Sequence, residues 1–422
     1  MPDGAYDLGG LDSYPAPWSI AGGVWLDANR KRVAALGANI TGYALLPTSQ
    51  AEADQWAQIL HREGYRAVRL HHWDIALHDS LQAHTQRLDW LCSALKRWKI
   101  PWMTDGTSER CDKQLLYNQN AAERDKWRGQ VEHLLTHRPA AEGLQPWVKE
   151  PYFLGICPVN EDVAVNGKSV WDGVTDLDNA QYCDNNDWYR SQLAAMGSSK
   201  PTWACNAGIP GGWSEIPAGE VETWHRYTDH PLQWPTRYME YLENDQPWNH
   251  YQPRTGRPLM LEEMGKLWPA SNRGLCEQQI VDYALAVGAQ LVFPFARAVG
   301  PSGYTATGGT LDMFTYYNDP VRTSTARYIA RMLNRSMGNY RYTPGEAQNT
   351  GFASFPNGPW LEVSDPGTAP IVSSTTGAID VPDGMVAFAI GTDGKRAQRL
   401  AQGGGVAIVE SMWTELVPKT LL

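Results

Sequence analysis

Two apolar runs in this chain end in acid. Pro258-Leu259-Met260-Leu261 leads into Glu262-Glu263-Met264-Gly265, and Gly155-Ile156-Cys157-Pro158-Val159 leads into Asn160-Glu161. Short apolar runs bounded by turn residues read as buried strands, so each carboxylate is expected at a strand's end. Two carboxylates that face one another can cleave an acetal. One protonates the departing oxygen while the other attacks the carbon or activates water. Further polar residues close apolar runs in the same way: Arg69 and His71 in Val68-Arg69-Leu70-His71, Asp105 after Ile100, and His225-Arg226-Tyr227 after Val221–Trp224.

Alternation along a strand sends neighbouring side chains to opposite faces. Of the adjacent Glu262 and Glu263, only one is therefore expected in the site, and the Met264-Gly265 that follows favours Glu263. The same rule separates the rings of His71 and His72, so no metal is expected there and one of the two is expected to line the pocket. Trp224 and Trp268 stand at strand ends as candidate platforms for a flat ligand face. Trp73 and Asp74, just past the second strand, are candidates for ligand contact or for loop packing.

The elements that must position these residues follow from periodicity. Between about residues 38 and 335, β-rich runs alternate with helical stripes, the pattern of βα units and a parallel sheet. Strands are expected at Ala38–Leu46, Arg66–His71, Ile100–Asp105, Tyr152–Asn160, Thr202–Asn206, Val221–Trp224, Arg257–Glu263 and Ala289–Phe295. Ser49-Gln50-Ala51-Glu52 reads as a capping box opening the first helix, which Gly64 stops. Leu88, Leu91, Cys92, Leu95 and Trp98 form an apolar stripe on the second. The acidic stretch through Asp184-Asn185-Asn186-Asp187 reads as a solvated loop before a helix that starts near Asp187. Eight strands without a GxGxxG turn after the first favour a closed (β/α)8 barrel over a dinucleotide fold. Beyond residue 338, turns such as Asp365-Pro366-Gly367 and Pro382-Asp383-Gly384 punctuate short alternating runs. The expected organisation is a barrel over 1–337, with an N-terminal extension, followed by a small antiparallel β-sandwich over 338–422.

Composition narrows the partners. A net charge of −10 with no Lys/Arg cluster argues against nucleic acid. No run of 18 apolar residues is present to span a membrane. The six cysteines lack CxxC or metal-type spacing and read as buried thiols, and no cofactor is expected. Trp outnumbers Phe 19 to 7, which tilts the ligand toward sugar rings, although any single Trp is more often core. Met1-Pro2-Asp3-Gly4 carries no basic-then-apolar leader, and localisation stays open between an intracellular protein and a secreted one whose signal was removed.

Asn160-Glu161 closing the fourth strand and Glu263-Met264-Gly265 closing the seventh resemble the clan of retaining (β/α)8 glycosidases that includes the cellulase-like family 5. The resemblance covers about residues 38–335. It implies Glu161 as acid/base, Glu263 as nucleophile, and Asn160 as the contact to a sugar 2-hydroxyl. It also implies that Arg69 holds the nucleophile ionised, while His225 and Tyr227 support nucleophile and substrate. Glu161 is then expected protonated before reaction and Glu263 ionised. The implied activity is cleavage of β-linked oligo- or polysaccharide. The alternative is a catalytically silent carbohydrate-binding barrel. Phe293 and Phe295 stand at the end of the eighth strand, where family 5 enzymes usually carry a Trp platform.

Overall fold

The computed structural model describes residues 13–41, 46–74, 81–161 (apart from 109 and 140), 179–203, 221–227, 257–265 and 289–296. It also describes two short strands between 164 and 169, single helical positions at 277, 326, 329, 330 and 333, and short strands between 340 and 419.

Local signals behave as their chemistry dictates. The Ser49 side chain accepts from the Glu52 amide at 3.2 Å, opening α1 (Gln50–Arg62). Glu52 turns back to the Thr48 amide and hydroxyl rather than to Ser49, so only half of the expected capping box forms. Gly64, at φ 92°, ends the helix in the left-handed conformation that glycine takes without strain. In α2 (Leu81–Arg97) the stripe of Leu88, Leu91, Cys92 and Leu95 is buried.

The strands in chain order are β1 (Ser19–Ala21), β2 (Val24–Leu26), β3 (Ala35–Thr41), β4 (Ala67–His71), β5 (Trp102–Asp105), β6 (Phe153–Cys157), β7 (Ala164–Val165), β8 (Lys168–Ser169), β9 (Glu222–Tyr227), β10 (Leu259–Gly265) and β11 (Ala289–Pro294). Seven of them form one sheet in the order β6-β5-β4-β3-β11-β10-β9, and every pairing in it is parallel. Between its two edges, Thr202 bridges Ile156 in parallel where the fifth strand was expected; positions 204–220 lie outside the described residues. The first strand begins three residues earlier than its apolar pattern suggested.

Alternation sorts the side chains into two layers. Leu36, Ala38, Ile40, Val68, Leu70, Trp102, Phe153, Ile156, Leu259, Leu261 and Val292 face outward into one cluster with Trp56, Leu91 and Trp127 from the helices. Ala35, Ala67, Met103, Leu154, Trp203, Val221, Met260, Leu291 and Phe293 face inward into a second cluster. Six strands of the sheet, β6 through β10 in its order, and Val221 immediately before β9 contribute to that inner cluster, so the sheet is curled as in an α/β barrel. Tyr14, Trp18 and Trp25 belong to it as well, and close the end where the strands begin. There Gln290 accepts from the Trp25 amide and donates to the Trp25 and Val33 carbonyls, which satisfies a polar group at 0% exposure.

One helix differs in extent from its sequence pattern. The acidic stretch 184–187 is not a loop but lies within α5 (Asn179–Ala195), where Asn185 is buried and donates to the Tyr117 carbonyl. The chain between α2 and α5 carries α3 (Lys113–Tyr117) and α4 (Ala121–Thr136). Past residue 340 the described strands are short and their pairings antiparallel, including a four-stranded sheet built from Ile371–Ser373, Met385–Ile390, Arg396–Gln402 and Thr414–Pro418. No helix among the described residues is long and apolar enough to cross a membrane. Cys92, Cys111 and Cys157 are buried thiols outside any disulfide, and Cys183 is a half-buried one.

Candidate active site

Two to four residues beyond the apolar inner layer, the inward-facing positions turn polar. Ala35 gives way to Asn39, Ala67 to Arg69 and His71, Met103 to Asp105, and Met260 to Glu262. All of these are at most 1% exposed. Arg69 stands at the centre. Its Nη1 donates to Glu263 Oε1 at 2.5 Å and to Asn39 Oδ1 at 3.3 Å, and its Nη2 to Asp105 Oδ1 and Asn160 Oδ1, both at 2.7 Å. Its Nε lies 3.0 Å from Glu262 Oε1. One guanidinium thus serves three buried carboxylates, a task its fork of donors suits better than a lysine ammonium.

The expectation that only one of the two adjacent glutamates faces inward is wrong. In the pairing of β10 with β9, Leu261 aligns with Trp224 and Glu263 with His225, so Glu262 is an extra, unpaired residue. A bulge of this kind breaks the two-residue period and turns consecutive side chains to one face. Both glutamates therefore reach Arg69 and His225: His225 Nε2 lies 3.6 Å from Glu262 Oε2, and Nδ1 lies 3.5 Å from Glu263 Oε2. Glu262 also accepts from Trp203 Nε1 at 2.9 Å.

Across the curled sheet, His225 Nδ1 meets Glu161 Oε1 at 3.3 Å. Glu161 follows β6 with φ 47°, a left-handed conformation that is uncommon for a residue with a Cβ and concentrates at functional sites. Its side chain keeps 28% exposure while those of Glu263 and His225 keep 4% and 1%. Carboxylate oxygens of Glu161 and Glu263, with His225, lie within 4.8 Å of one another.

His71 and His72 are not separated as alternation predicted. His72 leaves the strand at φ 53°, and the two ring centroids lie 3.6 Å apart. His71 Nδ1 bonds Asp105 Oδ2 and His71 Nε2 lies 3.4 Å from Glu263 Oε1, so His71 is wedged between two acids. Phe295 sets its ring edge-on to His71 at 5.4 Å. Phe293 points down into the inner core against Gly37, where a Cβ would come within 2.1 Å of its ring.

Asp74 and Trp73 are loop organisers. Asp74 accepts from the Thr107 hydroxyl and the Ser108 and Arg110 amides, and Trp73 donates to the Asp105 carbonyl. The β9 backbone includes Trp224 and Tyr227, but their side chains, like the whole of Trp268, lie outside the described residues. Many tryptophans that tilted the composition toward sugar are core: Trp25, Trp56, Trp73, Trp102, Trp127, Trp147 and Trp203 are all among the largest fully buried side chains. Asn39, Glu262 and Phe295 were missed as site residues. Asn39 carried a signal, being polar at an inward position of the first strand.

The proton affinities run opposite to expectation. Burial would raise Glu161, but the hydrogen bond and charge of His225 prevail and hold it at about 2. Burial raises Glu263 above the usual carboxylate range, with Glu161 adding to the effect, against the pull of His225 and Arg69. Burial lifts Asp105 to about 6 despite Arg69. Glu262 is held at about 2, burial being outweighed by Arg69 and His225. His71 is pushed well below its ordinary value by burial and by Arg69, and is neutral. Among the described residues, two sets of donors lie close enough to share an ion, Asp105–Cys157–Glu262 and Glu161–His225–Glu263. Arg69 already supplies a positive charge to Asp105 and Glu262 in the first and to Glu263 in the second.

A mouth of this kind at the strand ends of a curled parallel sheet invites comparison with solved structures. An endo-β-1,4-mannanase from Thermotoga petrophila superposes with a TM-score of 0.56 at 12% identity, covering 93% of each chain. The fold is that of family 5 glycoside hydrolases. An endo-1,4-β-mannanase from Rhizomucor miehei gives 0.54 at 12% identity over 76% of this chain and 99% of its own. A family 5 mannosidase from the same organism gives 0.52 at 13% over 75% and 97%. No family model matches the sequence, and no curated protein does either.

Proposed function

We propose that the chain is a retaining glycoside hydrolase that cleaves β-linked oligo- or polysaccharide by double displacement, with Glu263 as nucleophile and Glu161 as acid/base. One observation carries this reading: carboxylates from the ends of β10 and β6 approach to within 4.8 Å around His225, with Arg69 fixing Glu263. Retaining enzymes hold the pair about 5–5.5 Å apart, whereas inverting ones leave about 6.5–9.5 Å for a water.

The reversed proton affinities fit a resting site. A sugar covering Glu161 removes its remaining 28% exposure, and burial favours the neutral acid. Glu161, open to solvent until the sugar covers it, takes its proton from water as that exposure is lost. Glu263 then attacks the anomeric carbon while Glu161 protonates the leaving oxygen. Deprotonated Glu161 next activates water against the glycosyl-enzyme. Asn160, fixed by Arg69, is proposed to hold the 2-hydroxyl, and His71, Trp224, His225, Tyr227 and Trp268 to complete the sugar pocket. We take residues 1–337 as the catalytic unit and 338–422 as the appended β-sandwich. The mannanase and mannosidase likenesses put β-1,4-mannans first among substrates, with other β-glycans after them.

The test is release of reducing ends from a panel of β-mannans, β-glucans and xylans by wild type, Glu263→Gln and Glu161→Gln. Release from one glycan by wild type and its loss in both variants is the expected result. Equal release by wild type and Glu263→Gln would overturn the assignment, and glycan binding without any cleavage would favour the silent barrel.

A further inference from the structure

His71 joins two acids that the reaction scheme does not yet connect. Its Nδ1 bonds Asp105 Oδ2, and its Nε2 faces Glu263 Oε1 at 3.4 Å. A neutral imidazole has one N–H and one lone pair. Flanked by two ionised carboxylates, it satisfies one of them and turns a lone pair on the other. Both contacts are hydrogen bonds only when one carboxylate carries a proton. Arg69 spans the same two acids, through Nη2 to Asp105 Oδ1 and Nη1 to Glu263 Oε1, and adds Glu262 through Nε. Three buried carboxylates share one guanidinium, with His225 as the other basic group beside Glu262 and Glu263, and keeping a proton among them lowers the cost of burying their charge.

From this geometry we propose that Asp105 and Glu263 share one proton through His71, and that Asp105 is a positioning residue that takes the proton when Glu263 is ionised for attack. The inference rests on the glycosidase reading for its catalytic meaning. The two states carry the same total charge, the negative charge passing from Asp105 to Glu263 as the proton passes the other way. In one, the Glu263 hydroxyl donates to His71 Nε2 while Nδ1–H donates to the Asp105 carboxylate. In the other, the Glu263 O–H bond has broken and an Nε2–H bond has formed, and Nδ1–H has broken as an Asp105 O–H has formed. The ring then donates to ionised Glu263, and Asp105 donates to the ring.

The surroundings agree. The Asp105 carboxyl is lifted to about 6 by burial and Glu263 is raised by the same cause, while His71 is held neutral. Asp105 faces Arg69, His71 and the Ser108 hydroxyl, with the charge of Glu262 beyond. His71 is also within reach of the charges of His225 and of Lys113 from α3, and packs on His72 and Phe295. Glu263 additionally faces His225 and Glu161. Because the acids are coupled, the titration belongs to the pair and not to either member.

Asp105→Asn separates this role from simple packing. Its carbonyl can accept from Arg69 while its amide N–H donates to His71 Nδ1, which imitates protonated Asp105 and cannot lose the proton. The alkaline limb of kcat/KM that reports loss of the shared proton is expected to move up by about one pH unit or more, with little change in KM. A packing role would lower kcat at every pH and leave the limb in place, which would overturn the proposal.

A second readout needs no substrate. In wild type labelled with 15N-histidine, with His71 assigned by comparison with His71→Gln, the ring is expected to stay neutral from about pH 5 to about pH 9 and to shift toward the Nδ1–H tautomer as the shared proton leaves. In Asp105→Asn it is expected to hold the Nε2–H tautomer throughout. An imidazolium in that range, or a tautomer indifferent to pH in wild type, would overturn the relay even if the variant fails to fold. If no glycan is cleaved but the tautomer behaves as stated, the glycosidase reading fails and the shared proton stands.

Discussion

The lower and upper halves of the barrel interior are built on the same strands with the same inward alternation, yet their chemistry is opposite. Below, Ala35, Ala67, Met103, Leu154, Met260, Leu291 and Phe293 form an apolar cluster, and the buried Gln290 beside it is satisfied by the Trp25 and Val33 backbone. Above, Asn39, Arg69, His71, Asp105, Glu262 and Glu263 form a network in which nearly every contact is charged. The lower layer gains stability from removing apolar surface from water. The upper layer gains little net stability, because each ion gives up hydration to enter. What it acquires is a set of fixed charges at the end where a substrate can enter. The contrast teaches that the register is common property, and that the residue type at each inward step decides whether it holds the fold or does chemistry.

The largest expected effect comes from breaking the upper layer at its centre. Arg69→Met leaves Asp105, Glu262 and Glu263 without their shared cation, and is expected to cost about 3–5 kcal/mol in urea unfolding as well as abolishing turnover. Glu263→Gln should lower kcat by about 10⁴-fold, roughly 5 kcal/mol in barrier, while changing the melting temperature little. The lower layer should behave in the reverse manner. Leu291→Ala is expected to cost about 2–5 kcal/mol of stability and to leave kcat/KM of the folded fraction near wild type. Loss of turnover without loss of stability in Leu291→Ala would end the division of labour.

Acid titration sharpens the comparison further. The proton that Asp105 shares with Glu263 is held at about 6 where it sits on Asp105, above the ordinary 3.8, so the folded state binds the extra proton between those values. Its contribution to stability is therefore full below pH 3.8 and lost as pH rises through 6. Glu262, at about 2 against an ordinary 4.5, contributes stability above pH 4.5 that is lost as pH falls toward 2. Urea midpoints of Asp105→Asn should thus be flatter than wild type over the first window, and those of Glu262→Gln over the second. Lower-layer variants should shift the whole curve without changing its shape. The smallest effect is expected outside both layers: Ser49→Ala removes one cap of α1 and should cost about 1 kcal/mol with no change in activity.

How much of this was legible depends on the range of the interactions. The βα alternation, the Ser49 cap, the α2 stripe and the polar residue closing each apolar strand are local, and composition and spacing carry them. The ordered set Arg69, Asn160, Glu161, His225 and Glu263 was legible for the same reason, since parallel strands all deliver their last residues to one end of the sheet. Trp73 and Asp74 were open between ligand contact and loop packing, because a loop residue's partners cannot be read from spacing. Tryptophan content misled in part, because burial is a property of the packed sheet and not of the residue.

The sequence by itself determined which residue types arrive at the strand ends, because alternation and turn chemistry act over a few positions. Only the tertiary structure decided which of them meet. The bulge that turns both Glu262 and Glu263 inward depends on the pairing of β10 with β9. The approach of His225 to Glu161 depends on the curl of the whole sheet, and the proton affinities depend on burial among charges drawn from five strands. Those are sums over neighbours distant in the chain, and no local pattern encodes them.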